Sequence, residues 1–76
     1  MPNPEDDFFA SHPHVDVRVD FNSEVDEQLT ALFRDFRDGL CPEVGGVYVA
    51  GDWGATPTKV QVLDVAGLLV RLRVLD

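Results

Sequence analysis

His12, Pro13, His14 and Asp16 form the one cluster in this sequence whose side chains suit a transition metal. Imidazole and carboxylate are ordinary zinc ligands, and on a strand His14 and Asp16 would share a face. Proline separates the two histidines, though, and no second cluster supplies the rest of a tetrahedral set. The simpler reading is two neutral surface histidines. Cys41 is the only cysteine, so an internal disulfide framework and a cysteine-only metal site are both excluded. A nucleophilic thiol needs a base and an electropositive pocket. Cys41 instead follows the C-terminal end of an expected helix, where the dipole disfavours thiolate, and it reads as a small buried filler.

The remaining candidates are weaker. Asp6-Asp7 and Asp26-Glu27 are paired acids without surroundings that would separate their roles, so general acid–base catalysis has no obvious pair. Gly45, Gly46, Gly51 and Gly54 lack the spacing of a phosphate loop, and no helix follows them. The expectation is a chain with no catalytic residue, no cofactor and no metal site: not an enzyme.

Adhesive side chains are more conspicuous than reactive ones. Trp53, the single tryptophan, stands in Gly51-Asp52-Trp53-Gly54-Ala55-Thr56-Pro57. It is either a plug folded back on the core or an anchor for a partner. The plug reading has the ring at least half buried against the end of a sheet. In Glu5-Asp6-Asp7-Phe8-Phe9, acids flank an aromatic pair, the composition of a short segment that docks into a groove with a basic rim. Its bland alternative is a solubilising tail.

The totals bound the class. With 76 residues the chain is one domain at most, with a thin stability margin. Hydrophobic residues at 45% are enough for a core, so global disorder is not expected. No apolar run would span a bilayer, and the first residues have neither the basic start nor the apolar stretch of a signal peptide, which points to a cytoplasmic protein. Fourteen acids against six bases leave a net charge of −8. That argues against direct binding to a nucleic-acid backbone and permits binding to a basic protein. Five of the six bases are arginine, with abundant Val, Asp, Gly and Leu. Such usage suits GC-rich coding, as in a phage or bacterial accessory protein.

Five elements would position these residues. Residues 1–13 hold three prolines, a run of acids and no periodicity, and read as a flexible acidic arm. Residues 14–76 read as a single domain. Val15, Val17, Val19 and Phe21 alternate with polar residues, which predicts a strand. Asn22-Ser23 then offers an N-cap, and Val25, Leu29, Leu32, Phe33, Phe36 and Leu40 follow a helical stripe closed by Gly39 and Pro42. Residues 45–52 are the next strand, and 58–64 and 68–75 the last two, joined by the turn Asp64-Val65-Ala66-Gly67. With Asp64 opposite Leu68, Val60, Val62, Val70 and Leu72 share the buried face. The other face carries Lys59, Gln61, Leu63, Leu69, Arg71 and Arg73, with Lys59 directly across from Arg73.

The predicted fold is therefore α+β: a two-layer sandwich of one helix on a four-stranded, mainly antiparallel sheet, in the order β-α-β-β-β. An alternative groups the last three strands into a bent, SH3-like half-barrel. The predicted function is a small non-enzymatic protein–protein interaction or assembly protein, an accessory or inhibitor protein by one reading. It docks another protein or a second copy of itself through Phe8, Phe9, Trp53, Lys59, Leu63, Leu69, Arg71 and Arg73, with the acidic arm laid across the last hairpin's outer face. The alternative is an acidic nucleic-acid mimic, with Glu24, Asp26, Glu27, Asp35 and Asp38 arrayed on the helix and Asp16 and Asp20 beside them. No small-molecule substrate, membrane or direct nucleic-acid contact is expected.

Overall fold

Val15, Val17 and Val19 are buried while Asp16 and Arg18 between them are only partly so, the period-two pattern of a strand with one face inward. The structure, a computed structural model, describes the backbone of residues 4–75 and the side chains of residues 8–75. Helix α1 spans Pro4–Ser11, and five strands follow: β1 (Val17–Arg18), β2 (Gln28–Leu32), β3 (Val47–Gly51), β4 (Thr58–Ala66) and β5 (Leu69–Leu75). Short 3₁₀ turns occupy Phe21–Ser23 and Phe33–Asp35. One short helix and a curled five-stranded sheet thus make a small mixed α/β protein. No helix among the described residues is long and apolar enough to cross a membrane.

The sheet runs β1-β3-β4-β5-β2, with β1 parallel to β3 and every other pair antiparallel. Its two ends are drawn together by the segment after β2. Phe36 bridges Val17 on the β1 edge that β3 leaves open, and the Arg37 N–H donates to Asp16 O at 2.6 Å. Half of the enclosed side chains are valine: Val17, Val19, Val60, Val62 and Val70, with Leu29, Ala31, Phe36, Ala50 and Leu72. β-Branched residues suit this pleated, buried face. Where β1 crosses β3 the approach is close. A Cβ on Gly51 would come within 2.9 Å of Val15, so glycine is required there by contact.

The β4–β5 hairpin keeps the predicted core face but not the predicted register. Its loop is Gly67-Leu68, with Ala66 opposite Leu69. Gly67 has φ +62° and Leu68 is not in the left-handed region, the pattern of a type II′ turn. A bulge at Leu63 then shifts the parity, putting Val62 opposite Leu72, Asp64 opposite Arg71 and Val65 opposite Val70. Without the bulge Asp64 would face the core with Val62. With it, Val60, Val62 and Val65 share the inner face and Asp64 turns to solvent. The feared Lys59–Arg73 pair does not form, because Lys59 lies opposite Leu75 and Arg73 opposite Gln61.

The expected helix over residues 23–40 is absent, and with it the β-α-β-β-β order and the two-layer sandwich. The stripe fits a helix, but Leu29 and Ala31 also alternate inward between exposed Gln28 and Thr30. Pairing with β5 decides between them. β5 presents an apolar face and an edge of unpaired backbone groups, and β2 satisfies both. A curled sheet also encloses its own core, so no helix is needed to cover it. Of the residues on that stripe, Phe36 is buried in the core, Phe33 is partly buried against it, and Leu32 lies on the outer face. Asp20, not Ser23, caps here: its carboxylate accepts from Asn22 N–H at 3.0 Å.

β2 is also defended at its outer edge. Val74 N–H donates to Glu27 O and Phe33 N–H to Leu68 O, so residues 27, 29, 31 and 33 bond inward and 28, 30 and 32 outward. Gln28 exchanges both its bonds with Val25, and the Leu32 N–H is taken by the Asp35 carboxylate at 2.9 Å. The edge open to another strand is cut to its middle, around Thr30.

The Val25–Gln28 turn carries local strain. Asp26 and Glu27 have φ of 52° and 65°, the pair of left-handed residues that a type I′ turn demands and that Asn-Gly fills best. A glutamate there is unfavourable because its Cβ crowds the backbone. Glu27→Gly should therefore stabilise the protein by about 0.5–1 kcal/mol in denaturant titration. A loss of stability would show that this turn is not the one formed.

Candidate functional site

The eight residues singled out for binding divide into two groups. Phe8, Phe9 and Trp53 meet in one aromatic cluster beside α1. Lys59, Leu63, Leu69, Arg71 and Arg73 belong to the β4–β5 hairpin, away from it.

The aromatic cluster shows that the N-terminal segment is built into the fold. Residues 4–11, within the segment read from the sequence as a flexible acidic arm, are helical, and the Phe8 ring is 0% exposed. Residues 1–3 lie outside the described residues, as do the side chains of Glu5, Asp6 and Asp7. Phe8 stacks on His12 at 4.4 Å and meets Phe9 and Trp53 edge-on at 5.1 and 5.3 Å. The helix ends because the His12 Nδ1–H donates to Phe8 O at 2.8 Å and Pro13 follows. Among the described residues, no group of three or more His, Cys, Asp or Glu is placed to hold a metal.

Two arginines that sequence reasoning passed over fasten the cluster to the barrel. Arg37 donates through Nε and Nη2 to Val15 O at 3.1 and 2.8 Å, and through Nη2 to His12 O at 2.9 Å. Its guanidinium also lies 5.1 Å from the centre of the Phe9 ring. Arg18 sits 5.7 Å from the Phe8 ring and pairs with Asp52 at 3.2 Å. The same Asp52 oxygen accepts the Trp53 N–H at 2.8 Å, which fixes the loop that carries the tryptophan. Trp53 remains 48% exposed, its ring set against Phe8 and His12 of the same chain. Phe8 and His12 of that segment thus pack on Trp53 and not on the hairpin's outer face. The one hint in the sequence was that two adjacent phenylalanines are costly to leave in water.

Cys41 is exposed, contrary to its reading as a buried filler. It follows a turn in a loop rather than a helix, so no helical packing face draws it inward. The carboxylate array needed for nucleic-acid mimicry is also missing its helix. Glu24, Asp26 and Glu27 surround the strained turn, while Asp35 is engaged by the Leu32 N–H.

The outer face of the sheet is the stronger candidate site. Register places Gln28, Arg73, Gln61 and Val47 in one row across four strands, and Thr30, Arg71 and Asp64 in the next. Lys59 shares a row with Leu75 and Val49, and Leu69 with Leu32 and Ala66. Lys59, Arg71 and Arg73 are all exposed, and Leu63 is partly buried at the bulge. Val47 at 51% and Leu69 at 48% exposed add apolar surface. Val47 was missed because its outward direction depends on the pairing of β3 with β4. The only carboxylate in these rows is Asp64, 3.8 Å from Arg71. Both partners are about half exposed, so that pair contributes little. Three cations against one acid leave this face at +2, on a chain of net −8.

Truncating the buried anchor tests the first group. Phe8→Ala should cost roughly 3 kcal/mol in unfolding free energy and shift Trp53 fluorescence to the red with easier quenching. Unchanged stability and emission would mean that α1 does not dock.

Compared with known protein families, curated proteins and solved structures, the chain matches none.

Proposed function

We propose that this chain is a small non-enzymatic protein–protein interaction module that docks an acidic protein surface on the outer face of β2, β5, β4 and β3. The observation that carries the reading is the inversion of charge. Half of the chain's six basic residues stand exposed on one sheet face, in a protein with fourteen acids. Nothing about folding requires this, since the outward positions of β4 and β5 tolerate any polar residue. Exposed Val47 and Leu69 supply apolar contact, and the cations steer an acidic partner into place. A module of this kind suits an accessory or assembly role, with the rest of the acidic surface repelling nucleic acid.

The test is affinity capture from the cells that make the protein, with the natural chain and a Lys59→Glu, Arg71→Glu, Arg73→Glu triple variant side by side. The natural chain should retain a partner, or a second copy of itself, that the triple variant loses. Retention should weaken as salt is raised. Equal retention by both proteins would remove this face from the function.

A further inference from the structure

We propose that the partner offers an extended segment with carboxylates at alternate residues, and that this segment lies along β5 with its acids over Arg73 and Lys59. The proposal rests on reading the outer face as the interaction surface. The outward side chains of β5 are, in order, Leu69, Arg71, Arg73 and Leu75. They form a stripe, basic in the middle and apolar at each end. Arg71 already faces Asp64. Among the described residues, the ion pairs are Arg71–Asp64 and Arg18–Asp52, so Arg73 and Lys59 face no carboxylate.

The spacing of these two cations selects the conformation of what binds them. Lys59 lies opposite Leu75, two residues beyond Arg73 and one strand over. Two residues of strand advance about 7 Å, and neighbouring strands are about 4.8 Å apart, which puts the two side-chain origins about 8 Å apart. An extended chain presents residues i and i+2 on one side at about 7 Å, within reach of both flexible cations. Contiguous acids in an extended segment point to opposite sides and cannot reach both. Leu69, two positions beyond Arg71 on the other side, then takes an apolar residue at one end of the same segment.

A nucleic acid strand is the competing anion. The four outward rows contain no aromatic residue on which bases could stack, and the chain's net charge of −8 opposes a polyanion at longer range. A polypeptide neutralises the two cations with two charges and supplies an apolar end that a phosphate backbone lacks.

The experiment is fluorescence anisotropy on the full chain with labelled synthetic probes. One peptide carries two glutamates separated by a single serine, between terminal leucines. A second has the same composition with its glutamates contiguous. A third probe is a single-stranded oligonucleotide. The alternating peptide should bind about two- to fivefold more tightly than the contiguous one, the worth of one further exposed ion pair. That preference should vanish in Arg73→Gln and in Lys59→Glu, with melting temperatures unchanged because both side chains are exposed. Equal binding of the two peptides would overturn the register while leaving the acidic-partner reading intact. Binding of neither peptide would overturn both. Tighter binding of the oligonucleotide would replace the polypeptide with a nucleic acid.

Discussion

A sheet with no covering layer has to bury its apolar face against itself, and this requirement organises the molecule. Five strands curl until Val17 and Phe36 meet, joined by the short Arg37-to-Asp16 hydrogen bond. The curl sets the size of the core residues. Valine and alanine make up most of the core because the inner face has little room, and Leu29, Phe36 and Leu72 are its larger members. It also fixes the fate of residues 28–36, which leave β5's edge and return to β1. The same stretch would gain far less as a helix lying on a sheet that already encloses its own core.

Closure is reinforced from outside. Arg37 reaches from the returning segment to two carbonyls in the α1–β1 connection and to the face of Phe9. A guanidinium suits this role because its planar fork satisfies several acceptors while its face stacks on a ring. Helix α1 is only eight residues long, too short to persist alone in water. It is helical because Phe8 is packed between His12 and Trp53 and because His12 caps it. Trp53 is thus part plug and part surface: one side holds α1 in place and the rest is accessible.

Because the inner face is consumed by closure and the edges are blunted or paired, the outer face is the broad surface of the sheet left exposed. The Leu63 bulge shapes it. By turning Asp64 outward it provides a partner for Arg71 and leaves Arg73 and Lys59 facing no carboxylate among the described residues. A single extra residue in one strand thereby tunes both the core, which gains Val65, and the electrostatics of the opposite face.

Local pattern was sufficient wherever a feature depended on neighbours in sequence. The alternation of Val15, Val17 and Val19, the strand at 47–51, the last hairpin, and the shared outward direction of Lys59, Arg71 and Arg73 all follow from period-two patterning. Each is already visible in the chain. What local pattern left open was decided by contacts between distant residues. Val25, Leu29, Leu32, Phe33, Phe36 and Leu40 satisfy a helical stripe, and only the unpaired edge of β5, some forty residues later, makes Leu29 and Ala31 a strand. Residues 4–11 carry no periodicity, and they become a helix only when Trp53 and Arg37 supply the surface against which Phe8 and Phe9 pack. The register of Asp64 depends on a bulge whose benefit, an apolar face continued through Val65 to Val70, is realised only once the sheet is curled. Side-chain direction was written in the sequence, whereas the choice of partner for each strand edge and each aromatic ring belonged to the tertiary fold, because backbone hydrogen bonds and apolar surface accept any partner that geometry brings within reach.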